Sequence, residues 1–237
     1  MAADAARLTR ELTGLGSPER AVSERAYLKS TYDHVGAPVP AVRAVARQFL
    51  RDHRPTHDEL VALVDDLWTG ALYERRLLAT LLLQASWKDF GVADLPWIES
   101  LVRDSRTWAL VDTLATGVVA PIVRRDPEGL AVLDRWVGHD DFWVRRTAVL
   151  GLRDLMRDGH EIDRFVRYAD VLLVEREFFI RKALGWIARD TSRRHPEPID
   201  AWVRRELDRM SGVTIREAVK YLPDGPALLA AWKARST

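Results

Sequence analysis

The chain has 237 residues, 47% of them hydrophobic and 30% charged, with a formal net charge of +1 and no cysteine. These values point to a soluble globular protein with ample core material, and they exclude a disulfide framework or a thiolate metal site. No segment approaches the roughly 18 uncharged apolar residues of a membrane span, and a total charge near zero leaves nucleic-acid binding to a local basic surface.

The opening "MAADAARLTREL" lacks the long apolar run of a signal peptide, and the lack of cysteine fits a reducing cytosol. "SPERAVSERAYLKSTYDHVG" (17–36) reads as a helix with Ser17 as N-cap and Pro18 at the first position, closed on Gly36. "PVPAVRAVARQFL" (38–50) is a weak first copy of a unit that recurs further on, and "THDELVALVDDLWTG" (56–70) has the same start-and-stop grammar. "TWALVDTLATGVVAPIV" (107–123) carries one charge, Asp112, four residues after Trp108. On a helix that spacing puts indole and carboxylate on one face. "DFWVRRTAVLGLRD" (141–154) and "EFFIRKALGWIARD" (177–190) are copies of each other: an acid, two aromatics, an aliphatic, two bases, small residues and Arg-Asp.

Marking each copy by one equivalent position gives Tyr73, Trp108, Trp143, Phe179 and Thr214, at intervals of 35, 35, 36 and 35, with Pro38 a further 35 before Tyr73. Each interval holds two helices of about ten to fifteen residues and their turns. No run of alternating β-branched residues argues for a sheet. The expected architecture is all-α, a HEAT-like helical-repeat α-solenoid with a concave binding face, forming one domain over 1–237 with about six helix pairs. The Trp, Leu-Gly and Tyr pattern of tetratricopeptide repeats is absent.

Positions in the second helix of each pair are counted from the marker. Offsets 1, 5 and 8 (Val144, Ala148, Gly151; Ile180, Leu184, Ile187; Ile215, Val219, Leu222) are apolar or small, and are expected to pack against the outer helices. Offsets 0, 3, 4 and 7 mix aromatics with charge and are expected on the concave strip: Trp108, Asp112, Arg146, Lys182 and Trp186. Arg145, Arg181 and Arg216 lie alongside at offset 2.

Two readings stand for each group. Asp112 is either a functional carboxylate or half of an ion pair with Arg145 or Arg146 of the next repeat. A helix-cap role falls to Ser105 or Thr107 instead. Trp68, Trp97, Trp136, Trp202 and Trp232 read as core, whereas Trp108 and Trp186 share a stripe with charges and offer faces to a sugar, a base or a cation. The repeated bases either balance neighbouring acids or track phosphates. "HEIDR" at 160 lacks the second histidine of a zinc-protease helix, "GHDD" at 138 reads as a turn and helix start, and no phosphate loop or nucleophile elbow occurs. No metal and no cofactor is expected.

Four stretches together resemble the AlkD-like family of DNA alkylation repair glycosylases, over about residues 26–222: "AYLKSTYDHVGAPVPAVR", "SRTWALVD", "FWVRRTAVL", and "EFFIRKALGWIARD" with the terminal "IREAVKYL". The resemblance implies a concave DNA-binding face and hydrolysis of the N-glycosidic bond of alkylated, cationic N3- or N7-substituted purines in duplex DNA. The base is left in the helix rather than flipped, bulky adducts are tolerated, and an abasic site remains without lyase activity. Asp112 would be the catalytic carboxylate, Trp108 and Trp186 would pack on the deoxyribose, Arg146 would help hold the DNA, and Tyr27 would touch it near the lesion. Where family members often carry a tryptophan before and an acid after the paired tryptophan, this chain has Thr107 and Ala109. Double-stranded DNA is the expected partner, for a monomer without membrane association in the cytoplasm, at the nucleoid. A HEAT-like scaffold binding DNA or protein without catalysis is the alternative.

Overall fold

The computed structural model describes residues 2–235, so the ends of the expected 1–237 domain lie outside the described residues. The chain divides into two compact units, one up to Ile122 and the other from Val123. The first contains α1 (Ala2–Gly14), α2 (Pro18–Leu28), α3 (Val39–His53), α4 (His57–Trp68), α5 (Tyr73–Ala85), α6 (Leu95–Arg103) and α7 (Trp108–Leu114). The boundary falls inside α8 (Ala120–Arg125). The second contains α9 (Leu130–Trp136), α10 (Phe142–Gly151), α11 (Arg153–Arg157), α12 (Ile162–Leu172), α13 (Phe178–Ser192), α14 (Pro196–Glu206), α15 (Gly212–Ala218) and α16 (Gly225–Arg235). The fold is all-α and built of helical repeats; no strand occurs among the described residues beyond one isolated bridge, Asp33 to Leu72.

The repeat register read from the sequence is the register of the helices. Tyr73 and Trp108 open α5 and α7, while Trp143, Phe179 and Thr214 lie within the first turn of α10, α13 and α15. Pro38 is the residue before α3. The stripe at offsets 1, 5 and 8 is buried throughout: Val144, Ala148, Ile180, Leu184 and Ile215 are 0% exposed and Ile187 1%. Each large aliphatic side chain so removed from water contributes about 1.5–3 kcal/mol. Gly185 lets α13 approach α15 closely, since a Cβ there would lie 2.7 Å from the Glu217 Cβ and 2.8 Å from the Thr214 carbonyl oxygen.

Local chemistry sets the starts. Ser17 accepts a bond from the Arg20 amide, Thr56 and Glu59 form a capping box, and Asp141 and Glu177 accept from the amides of Trp143 and Phe179. The expected stop at Gly36 is corrected. Helix α2 ends at Leu28, with Lys29 in the left-handed region at φ 48°. Residues 30–37 are drawn away by partners outside the helix. Asp33 exchanges backbone bonds with Ala71 and Tyr73, and the buried Glu74 carboxylate accepts from the amides of Val35, Gly36 and Ala37. Gly36, at φ +78°, makes that turn, and a Cβ there would strike the Ser17 carbonyl oxygen.

No helix among the described residues is long and apolar enough to cross a membrane.

Candidate functional site

In the first unit the candidate face is the start of α7. Leu110, Val111 and Leu114 are 0% exposed and hold the helix down, leaving Trp108 and Asp112 partly exposed one turn apart. The residues at Asp112's offset in the other repeats are Leu77, Thr147, Ala183 and Ala218, all buried. A carboxylate therefore occupies a position that elsewhere holds core.

The approach to α7 is rigidly built. Arg76, 6% exposed, donates to the Asp104 carbonyl at 3.0 Å and to its carboxylate at 2.7 Å, with its guanidinium 4.6 Å above the Tyr32 ring. The Tyr32 hydroxyl donates to the same carbonyl at 2.6 Å, and Arg106 turns the chain at φ 51°. Thr107 is the N-cap by position, yet its hydroxyl is buried with no hydrogen-bond partner, and Ser105 bonds back to Leu101. The helix after Asp112 widens into a π turn over Ala115–Val119, where Thr116 donates to the Asp112 carbonyl at 2.7 Å. Single π turns occur frequently at functional sites. Tyr27, 72% exposed on α2, meets Trp108 edge-on, with ring centroids 5.9 Å apart at 81°. The structure thus brings Tyr27, Trp108 and Asp112 onto one patch of the first unit.

In the second unit Trp186 is partly exposed on α13, and its indole N–H donates to Asp190 at 2.9 Å. Lys182 and Arg189 both bond the Glu217 carboxylate from α15. Partial burial pushes the Glu217 carboxyl up, but the two cations outweigh it and hold it below its ordinary range. Asp190 also lines a cleft of about 340 Å³ with Arg153, Arg157, Arg193 and Arg194. That basic cleft was not singled out in the sequence. Its signal is the Arg-Asp ending of "LRD" and the "SRR" that closes α13.

The expected basic stripe is placed differently from one residue to the next. Arg146 is 3% exposed, and its guanidinium donates to the Phe179 carbonyl, packed 5.9 Å from that ring. Its guanidinium is taken up inside the fold, where the sequence pattern suggested an outward base. Arg145 donates to the carbonyls of His139 and Asp140 and lies 2.8 Å from the Glu175 carboxylate, while Arg181 donates to the Glu175 carbonyl at 2.7 Å. Arg216 is exposed. Offset 3 is a repeat-to-repeat link in three places: Arg76 to Asp104, Arg146 to Phe179, and Lys182 to Glu217.

The tryptophans divide similarly. Trp68, Trp136 and Trp202 are core, but Trp97 and Trp232 are partly exposed and donate to Asp65 and to the Met210 carbonyl. Trp143, on the expected concave stripe, is 7% exposed and packs on Phe142 and Phe179.

Comparison with known proteins agrees with this architecture. Among solved structures, the chain is similar to a predicted DNA alkylation repair enzyme from Enterococcus faecalis, with a TM-score of 0.81 and 23% identity over 88% of this chain and 97% of that one. It is similar in fold to AlkD2 from Streptococcus mutans, with a TM-score of 0.60 and 19% identity over 87% of this chain and 100% of that one. No curated protein matches at a significant level. A family model described as DNA alkylation repair enzyme matches residues 8–222. The chain therefore belongs to the DNA alkylation repair enzyme family.

Proposed function

We propose that the protein is a monofunctional DNA glycosylase that hydrolyses the N-glycosidic bond of alkylated, cationic purines in duplex DNA and leaves an abasic site. The observation that carries this reading is the Trp108–Asp112 pair, partly exposed beside Tyr27 at a repeat position that is otherwise buried. Breaking the bond leaves positive charge on the sugar as an oxocarbenium-like ion. A carboxylate fixed on a packed helix stabilises that charge better than one free in water, and an indole face adds about 0.5–2 kcal/mol. N3- or N7-alkylation makes the purine a cation, so it departs as a neutral base with the bonding electrons and needs no strong general acid. Asp112 orients the water whose oxygen adds to C1′, and the water's proton passes to solvent.

The same patch presents its side chains outward: Tyr27 is 72% exposed, and Trp108 and Asp112 are partly exposed. A lesion left in the duplex and gripped through sugar and backbone suits an open surface of this kind, and bulky N3 adducts then fit as well as methyl groups. Trp186, oriented by Asp190, offers its face to a deoxyribose. Arg216 and the arginines of the cleft beside Asp190 supply backbone contacts, with Lys182, Arg145 and Arg181 adding local charge. On this reading the protein works as a monomer on nucleoid DNA in the cytoplasm.

The test is single-turnover release of base from duplexes carrying 7-methylguanine or a bulky N3-adenine adduct, comparing wild type with Asp112→Asn. A loss of about 10²–10³-fold is expected, the scale of removing one preorganised electrostatic group. Equal rates would remove Asp112 from the chemistry. Failure of both proteins to release any base would leave a DNA-binding scaffold.

A further inference from the structure

Away from Asp112, the first unit contains a buried cluster that no part of the proposed reaction uses. Glu24 of α2, His34 of the following loop and Glu74 of α5 each offer one ligand atom, and these three atoms lie within 4.8 Å of one another. The His34 side chain is 1% exposed, yet both of its ring nitrogens are buried without a hydrogen-bond partner. The Glu24 Oε2 is also buried and unpartnered, 3.8 Å from His34 Nδ1. A buried polar group left unpaired costs about 1–3 kcal/mol, and two of these atoms, His34 Nδ1 and Glu24 Oε2, face each other across 3.8 Å with no hydrogen bond between them.

The surroundings look built to hold the cluster still. The His34 ring stacks on Tyr73 at 4.6 Å and 19°, which fixes its plane. Arg20 takes the other Glu24 oxygen at 3.0 Å and leaves Oε2 pointing inward. Glu74, 0% exposed, receives the amides of Val35, Gly36 and Ala37 on Oε1 at 3.1, 2.6 and 3.3 Å, whereas Oε2 has only the second leg of the Val35 bond, at 3.2 Å. Arg20 and those amides balance part of the two carboxylate charges, and a divalent cation would balance the rest.

We propose that Glu24, His34 and Glu74 form a structural site for a first-row divalent cation, with Zn²⁺ as the best-fitting ion. One imidazole nitrogen with two carboxylate oxygens is a donor set that Zn²⁺ accepts at about 2.0–2.2 Å. Around a tetrahedral ion of that size the donors sit about 3.3 Å apart, so Nδ1 and the Glu24 oxygen, 3.8 Å apart, close by about half an ångström, and a pair at the 4.8 Å limit of the cluster closes by about 1.5 Å. The sequence reading expected no metal, because the ligands come from three segments with no motif spacing. The site ties α2, the helix that carries Tyr27, to the α5 that precedes α7. It does not depend on which reaction the protein performs.

The test is a Zn²⁺ titration of chelator-stripped full-length protein against a chromophoric competitor, with melting followed in parallel. Wild type is expected to bind one Zn²⁺ with a micromolar or tighter dissociation constant and to melt higher when loaded. His34→Gln and Glu24→Gln are each expected to weaken binding at least tenfold and to lose the Zn²⁺-dependent rise in melting temperature. His160→Gln, on an exposed turn, should bind as wild type does. No wild-type binding below millimolar Zn²⁺, or binding unchanged in both ligand variants, would overturn the proposal. A variant that fails to fold is replaced by the other, since one folded ligand variant decides the matter.

Discussion

Arg146 is where sequence pattern and structure pull furthest apart, and Arg146→Met separates the two roles. Methionine keeps most of the apolar stem in a site that is 3% exposed, but removes the guanidinium that bonds the Phe179 carbonyl and faces its ring at 5.9 Å. The lost charge-assisted hydrogen bond is worth about 1.5–3 kcal/mol and the ring contact about 0.5–1. Relief from burying a charge offsets part of this. A net loss of about 1–3 kcal/mol follows, which lowers the melting temperature by roughly 2–12 °C at about 2–4 °C per kcal/mol for a chain of this size. The informative assay pairs thermal melting with duplex binding over a salt series, well below the melting temperature. Each phosphate contact contributes about 0.9 to the slope of log K against log salt. Arg146→Met should melt lower with an unchanged slope. Arg194→Ala, in the exposed cleft beside Asp190, should melt normally and flatten the slope by about 0.9. If Arg146→Met melts like wild type and flattens the slope, Arg146 is a phosphate contact and the internal role assigned to it is wrong.

Tyr27→Ala removes a ring that is 72% exposed, so stability should change by no more than about 1 kcal/mol, while base release slows about tenfold; a rate equal to wild type would detach Tyr27 from the site. Glu217 is held below its ordinary carboxyl range by Lys182 and Arg189, so its contribution is present above the unfolded value and lost as pH falls through the folded one. Glu217→Gln should therefore cost about 1–2 kcal/mol at neutral pH and make melting less dependent on pH on the acid side, and a parallel pH profile would contradict the pairing. Gly185→Ala forces a Cβ to within 2.8 Å of the Thr214 carbonyl oxygen and should destabilise by about 1–3 kcal/mol, read as a lower denaturant midpoint; an unchanged midpoint would show that α13 and α15 have slack.

The fold was legible because its period is written in side chains whose burial the repeat dictates. The apolar stripe at offsets 1, 5 and 8 names the packed face in the last three repeats, and every marker falls at a helix start, whereas at α7 the same offsets are Ala109, Thr113 and Thr116, all partly exposed. The loop after α2 was not legible. Ser17 and Pro18 announce a helix, but its end is decided by Glu74, a residue far along the chain that captures three successive amides. One sign was present all the same: offset 1 holds Ala109, Val144, Ile180 and Ile215 in the later repeats and a glutamate in this one. A charge on a core stripe calls for a buried partner, and the Val35–Ala37 turn is that partner.

The same logic divides the candidate site. Asp112 and Glu74 are both acids at repeat positions that other copies fill with apolar or small residues, and either could have been read as functional. Surroundings separate them. Glu74 is 0% exposed and answered by backbone amides, so its charge organises the fold. Asp112 is partly exposed, beside an indole on its own helix and a tyrosine ring from α2. For the two bases at offsets 2 and 3, periodicity shows that a position recurs, not which way its side chain turns. Arginine is long enough to reach the next repeat, and Arg76 and Arg146 do so, bonding carbonyls ahead of or within the following second helix. At the Trp108 repeat these two positions are Leu110 and Val111, both fully buried. That repeat gives up the basic link and gains the carboxylate. A departure from the pattern, rather than the pattern itself, therefore marks the residue to mutate first.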